Sequence, residues 1–280
     1  MMRSDRKTRQ AFIRRWVPQG LRDIYNLTTG RAIRFKGTYN SWEDAERAAA
    51  GYAENSLFQR IEGAALAVKR GEAAWEQDGV THDRIPPDWP TLACLSQVAL
   101  ANNGALTVLD FGGALGSSYL QARPYLIGVK HLCWHIVEQA HVVASGRKHF
   151  QTEQLRFHAS LGEYPAEETK PDVVLLSGVL PFLPKPYEVL EQLLATQVEF
   201  VIIDRQFITI TSELLTVQVL PPSLYPASYP AWLLDPEKLD SALSRQYDKQ
   251  WAWVGKDPPI HGRGIGARFS GQLWRRRPAP

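Results

Sequence analysis

Thr107–Tyr119 reads TVLDFGGALGSSY, an apolar strand that runs into a glycine turn and then into small residues able to open a helix. Val108 and Leu109 supply the strand and Asp110 its acidic tip. Gly112, Gly113 and Gly116 let the backbone approach a ligand with no Cβ in between. A dinucleotide fingerprint G-x-G-x-x-G ending at Gly116 needs glycine at position 111, where Phe111 stands. A P-loop needs a lysine after its last glycine, and here Ser117 and Ser118 follow. The stretch therefore points to a nucleoside-like ligand without phosphates, against the plainer alternative of a structural tight turn.

The chain downstream continues in the same style. Val129–Glu138 (VKHLCWHIVE) reads as a second strand that ends in an acid about 20 residues after the glycines, where an acid in a doubly wound fold accepts from ribose hydroxyls. Glu138 is that candidate, with a helix-capping or solvated glutamate as the alternative. Leu155–Leu161 reads as a third strand with Ser160 as the polar residue for an adenine amino group, or as an ordinary turn former. Asp172–Leu183 (DVVLLSGVLPFL) gives a strand buried on both faces, with Ser177 and Gly178 opening the next loop. Phe200–Phe207 (FVIIDRQF) gives a fifth strand. It ends in Asp204 and Arg205, placed either for a substrate beyond the strand ends or as a structural ion pair.

An acidic strand tip before a glycine turn resembles the first motif of the class I S-adenosylmethionine (SAM) methyltransferases, and Asp172–Leu183 resembles their fourth strand. One departure stands out: the D-x-G-x-G-x-G pattern of that family puts glycine at 114, where this chain has Ala114. The combination of YNSWEDA, Gly51–Tyr52, DFGGALGSSY, IDRQF and TVQVLPPSLYPASYPAW further resembles a bacterial methyltransferase family associated with surface-polysaccharide gene clusters. The resemblance covers about Gly37 to Trp274. It implies a Rossmann-like α/β fold with a mostly parallel seven-stranded sheet, a C-terminal antiparallel hairpin and an α-helical N-terminal extension. It implies SAM as cofactor and S-adenosylhomocysteine as product. Asp110, Gly112, Gly113, Gly116, Glu138, Ser160, Ser177 and Gly178 would hold the cofactor, and a glycan or glycolipid precursor would be the methyl acceptor.

The remaining segments fit around that core. Ser41 and Asp44 form a capping box, with helical spacing on through Ile61, Ala65 and Val68. Tyr39 and Trp42 either cover a site or staple the helix start. Thr216–Leu234, rich in proline and aromatics, reads as a long substrate loop. In it Tyr225, Tyr229 and Trp232 stack on a sugar ring beside Arg205, or else plug the sheet edge. Asp235–Gln246 reads as a helix, followed by strands at Tyr247–Val254 and Ala267–Arg275. The expected division is a basic arm (1–36), a helical cap (37–100) and a SAM-binding domain (101–280).

At 280 residues and 44% hydrophobic, the chain buries a full core. Its two cysteines, Cys94 and Cys133, suit a reducing cytoplasm and no disulfide framework. The absence of a long apolar run or signal peptide points to the cytoplasm, with peripheral contact at the inner membrane face open to the basic residues 1–36. Ten Lys or Arg between Arg3 and Lys36, mixed with apolar residues, suit an anionic membrane surface, RNA, or a solvated helix. No D/N-P-P-Y/F tetrapeptide follows the fourth strand, which disfavours base N-methylation and makes nucleic acid a lesser partner. His131, His135, His158 and His261 have no ligand spacing, so no metal is expected. Asp204 is the candidate base if the acceptor is a hydroxyl. Two alternatives stay open: a noncatalytic SAM-fold component of a polysaccharide pathway, and an RNA-directed methyltransferase using the basic arm. The sequence does not fix the oligomeric state.

Overall fold

The computed structural model describes residues 33–49, 54–167, 169–220, 227–255, 260–262 and 265–278. Expectations resting on residues 1–32, on Tyr225 and on the side chain of His261 lie outside the described residues. In chain order the elements are β1 (Arg34–Tyr39), α1 (Trp42–Ala48), α2 (Glu54–Lys69), β2 (Trp75–Gln77), β3 (Val80–His82) and α3 (Trp89–Ala101). Then follow β4 (Ala105–Phe111), α4 (Ser117–Ala122), β5 (His131–Val137), α5 (Ala140–His149), β6 (Leu155–His158), β7 (Val173–Ser177) and α6 (Pro186–Ala195). The chain closes with β8 (Phe200–Thr209), β9 (Leu214–Val219), β10 (Ser228–Leu233), α7 (Pro236–Ser244), β11 (Tyr247–Val254), β12 (Ile260–Gly262) and β13 (Ile265–Arg276).

Both faces of β4, β7 and β8 are covered, which is why their sequences read as nearly unbroken apolar runs. Alternate residues feed two separate cores. Leu106, Val108, Val173, Leu175, Phe200 and Ile202 pack with Leu95 and Val98 of α3, Tyr119 of α4 and Val143 of α5. Leu109, Val174, Leu176, Val201 and Ile203 face the other way, onto Leu190, Leu193 and Leu194 of α6 and Leu239 and Leu243 of α7. The result is a helix–sheet–helix sandwich.

The main sheet has the order β11-β13-β8-β7-β4-β5-β6, with β12 paired to β13 as its eighth strand. Strands β4 to β8 are mutually parallel. Strand β13 runs antiparallel to β8, and β11 antiparallel to β13. This is the Rossmann-like, mostly parallel sheet with a C-terminal antiparallel hairpin that the sequence led us to expect. Strand order reverses between β4 and β7, so the crevice for a ligand opens beyond the carboxyl ends of those two strands.

Three expectations need correction. The stretch Thr216–Leu234 is not a long loop: β9 and β10 form an antiparallel pair that, with β1, makes a second three-stranded sheet. Its prolines misled because Pro230 lies on β10, an edge strand, where a missing N–H is tolerated. The third strand ends at His158, and Ser160 instead caps the 3-10 turn Leu161–Glu163 by accepting from the Glu163 N–H at 3.3 Å. The cap is not purely helical, for it contains β2 and β3, joined through Asp78 and Gly79, both with positive φ (52° and 75°) as a tight hairpin turn requires.

The N-terminal segments attach at defined points. Ser41 Oγ accepts from the Asp44 N–H at 3.1 Å and donates to the Asp44 carboxylate at 2.8 Å, so Ser41 caps α1 as expected, while the Asp44 side chain returns to the Ser41 hydroxyl rather than to its backbone N–H. Tyr39 and Trp42 pack with Ala45 against Leu215 and Val217 of β9 and therefore belong to the small sheet's core. Phe207 of β8 joins the two sheets, with ring contacts to Phe35, Phe182 and Phe269 at 5.4, 5.6 and 5.0 Å. Among the described residues no helix is long and apolar enough to cross a membrane.

Candidate functional site

The crevice at the reversal point is an open cavity of ≈ 220 Å³. Its floor is the turn after β4 (Gly112, Gly113, Ala114), with Ser177 at the end of β7 and Asp204 and Arg205 of β8 beside it. The β2–β3 hairpin forms one wall, the segment from Pro86 to the start of α3 another, and Trp253 to Gly255 a third.

The turn is built from within. Gly112 has φ +77°, and a Cβ there would stand 2.4 Å from Val179 Cγ2. At Gly113 a Cβ would meet Asp110 Oδ2 at 2.5 Å, because that carboxyl lies directly beneath. These glycines are thus required by the protein's own packing as well as by any ligand. Ala114 has φ +48°, so the turn keeps the left-handed backbone that the methyltransferase pattern assigns to glycine, at a cost for a residue with a Cβ. Replacing Ala114 by Gly is expected to stabilise the protein by about 0.5–1 kcal/mol, the relief of strain exceeding the extra freedom of the unfolded chain. A urea midpoint that falls instead would show that the Ala114 methyl group packs usefully.

Asp110 is 1% exposed and lies below the cleft lining, accepting from Trp134 Nε1 at 3.0 Å. Burial, reinforced by the charge of Glu138 and partly offset by the indole donor, raises its pKa to about 7. Glu138 follows β5 and is half-buried beside the turn. Its carboxylate accepts from the Gln139 N–H at 2.7 Å and lies near the Ala114 N–H, while burial raises its pKa. Gly178, with φ +67°, donates its N–H to the Asp204 carbonyl at 2.8 Å. Gly112, Gly113, Ser177, Asp204 and Arg205 line the cleft; Asp110, Gly116, Glu138 and Gly178 adjoin or underlie it without lining it, and Ser160 is not among its lining residues. Tyr229 and Trp232 lie elsewhere: Tyr229 packs beside Leu220 and Ala227, and Trp232 between Leu215 and the α6–α7 core.

Several lining residues escaped the sequence reading. Trp75 donates its indole N–H to the Ser117 carbonyl at 3.2 Å, and Glu76, 1% exposed, accepts from Ser117 Oγ and from the Gly79 N–H. The hairpin is thereby tied to the start of α4. At its tip Asp78 pairs with Arg205 at 3.3 Å, and Gln77, its amide oxygen turned to the guanidinium, accepts from Arg205 Nη1 at 2.8 Å. The Asp78-Gly79 dipeptide was the available hairpin signal. Asp88, at the N-cap of α3, accepts from Thr91 Oγ1 at 3.2 Å.

The lining is strongly acidic. Glu76, Asp78, Asp88 and Asp204 face a single described cation, Arg205. Burial, then the charge of Asp88, raises Asp204 to about 6, while Trp253 and Arg205 act in the opposite sense. Burial and the same two aspartates push the Cys94 thiol up to about 12, so it is no nucleophile. Among the described residues no three His, Cys, Asp or Glu side chains gather as a metal site.

No family model matches this chain, and no curated protein does. Solved structures overlap it at low sequence identity. The N-terminal domain of EvdMO1, solved with S-adenosylhomocysteine and D-fucose, is 13% identical over 81% of this chain and 98% of its own, with a TM-score of 0.46. Magnesium protoporphyrin IX methyltransferase from Synechocystis PCC 6803, with bound S-adenosylhomocysteine, is 14% identical over 67% and 83%, with a TM-score of 0.43. Human N-acetylserotonin methyltransferase in complex with SAM is 15% identical over 66% and 51%, also at 0.43. The fold assignment stands on the strand order of the chain itself.

Proposed function

We propose that this protein is a SAM-dependent methyltransferase acting on a hydroxyl of a small molecule or of a glycan or glycolipid precursor. The carrying observation is the meeting of the 112–116 turn with Glu138 at the carboxyl ends of adjacent parallel strands, at the border of a cleft whose other walls are acidic. Such a lining suits a cationic nucleoside and opposes a phosphate, which would need the lysine that the turn lacks.

Gly112, Gly113 and Gly116 would support the cofactor's amino-acid end from the turn, with Asp110 fixing that turn from below. Glu138 would accept from the ribose hydroxyls, and Ser177 and Gly178 would border the reacting group. When bound, the cofactor would supply a methyl group on a sulfonium that leaves as a neutral thioether. The protein's own tasks are alignment and exclusion of water. Asp204 takes up the proton that a hydroxyl acceptor releases, its raised pKa suiting it to that role near neutral pH. The polysaccharide pathway is proposed from the sequence resemblance.

Calorimetric titration with SAM and with S-adenosylhomocysteine tests the reading before any acceptor is chosen. Micromolar binding, about −8 kcal/mol, is the expected result; no heat with either ligand at two temperatures rejects it. Glu138→Ala is expected to weaken SAM binding tenfold or more, a loss of about 1.4 kcal/mol or greater. Unchanged affinity in that variant would remove Glu138 from the site.

A further inference from the structure

Trp253 on β11 stands opposite Gly271 of β13 in the strand register. On the other side of β13, Ser270 pairs with Gln206 and Gln272 with Ile203, so Asp204 and Arg205 of β8 together oppose Gly271. This is a bulge, in which Arg205 takes a left-handed backbone with φ +55°. A Cβ on Gly271 would stand 2.1 Å from the Trp253 ring, so the indole lies flat on that glycine. Crossing the middle strand there, it donates Nε1–H to Asp204 Oδ1 at 3.0 Å. Asp204 is 3% exposed yet lines the cleft, and its carboxylate is held by the Trp253 indole and by the Arg205 backbone.

We propose that Trp253 is a positioning residue for the acceptor end of the cleft: its indole, laid across Gly271, holds one oxygen of Asp204 and turns the other toward the hydrogen of the methyl acceptor. Resting on the methyl-transfer reading for what the acceptor is, the inference adds how its proton acceptor is aimed and kept ionisable. Burial and then the neighbouring charge of Asp88 oppose ionisation of Asp204, and a donor to the charged form acts in the opposite sense. No other side chain than glycine at 271 lets the indole reach across, so the bulge, the glycine and the tryptophan work as one arrangement over three strands.

The test is carbon-13 NMR of protein labelled at aspartate Cγ, the Asp204 signal being assigned by its loss in Asp204→Asn. In the unaltered protein Asp204 is expected to titrate near its midpoint of about 6, with the Trp253 indole N–H resonance following the same curve. In Trp253→Phe the Asp204 midpoint is expected about one pH unit higher. Gly271→Ala, which lifts the ring without removing it, should move it the same way and serves where Trp253→Phe does not fold. An indole signal indifferent to pH in the unaltered protein, or an Asp204 midpoint the same in the variants, overturns the proposal. Calorimetry with SAM on the unaltered protein is read separately: absence of binding there rejects the methyl-transfer reading while the titration still decides the Trp253–Asp204 linkage.

Discussion

Asp110→Asn is expected to make the protein about 4 kcal/mol more stable at pH 8, although it alters the residue on which the glycine turn rests. The carboxyl is fully buried, and burial raises its pKa from 3.8 to about 7. The folded protein therefore holds this proton more tightly than the unfolded chain does. Its contribution to stability is present in full below the unfolded pKa near 3.8 and is lost as pH rises through 7. At pH 8 the wild-type protein must keep a charge where water cannot reach it, offset in part by the Trp134 indole. Asparagine keeps an acceptor for that indole and carries no charge. Urea denaturation at pH 8 and pH 4 measures the effect: the gain should be large at the first and near zero at the second. A variant no more stable than wild type at pH 8 would mean that the carboxyl is better solvated than its position implies.

The second large effect runs in the other direction on the pH axis. His135 of β5 and His158 of β6 are stacked, with Nδ1 of one 2.9 Å from Nε2 of the other, and Tyr164 meets both rings edge-on. One nitrogen of the pair donates and the other accepts, so a second proton destroys the bond. Burial, the partner ring and Arg156 lower His135 from 6.5 to about 4; burial also lowers His158, with Glu163 opposing and Arg147 and Arg156 assisting. The unfolded chain binds these protons first, so the stabilisation is complete above pH 6.5 and is lost as pH falls through the window toward 4. For His135 alone the loss amounts to about 3 kcal/mol. Stability measured between pH 7 and pH 4 should fall more steeply in the wild type than in His135→Gln, whose side chain does not titrate. Equal slopes would place the acid sensitivity in other groups.

How much of this was readable in the sequence follows from which interactions are local. The parallel strands announced themselves because burial on both faces leaves runs such as VVLL and FVII, and the turn at 112–116 because its backbone demands small residues. The β9–β10 pair did not, since a proline at an edge position looks the same as a proline in a loop until the partner strand is known. Asp88 and Trp253 were invisible for a related reason. Nothing near Trp253 in the chain indicates that it will lie over Gly271, and the bulge that brings Asp204 beneath it arises only from the pairing of β13 with β8. Asp110 was legible as an acidic strand tip, but its depth below the cleft depended on Trp134 reaching across from the neighbouring strand.

The small sheet bears on how the chain comes into being. β1 lies near the beginning of the protein and β9 far along it; Thr216 Oγ1 reaches the Lys36 carbonyl across 180 positions of sequence. During synthesis β1 therefore emerges long before the strand that covers it, and its apolar Phe35 waits unmatched while five parallel strands are being delivered. The clasp closes late, joining the start of the described chain to the β9–β10 pair that follows the last parallel strand. A nascent chain halted before β9 would carry all five parallel strands together with an unpaired β1, a species exposed to mispairing with a neighbour on the same message.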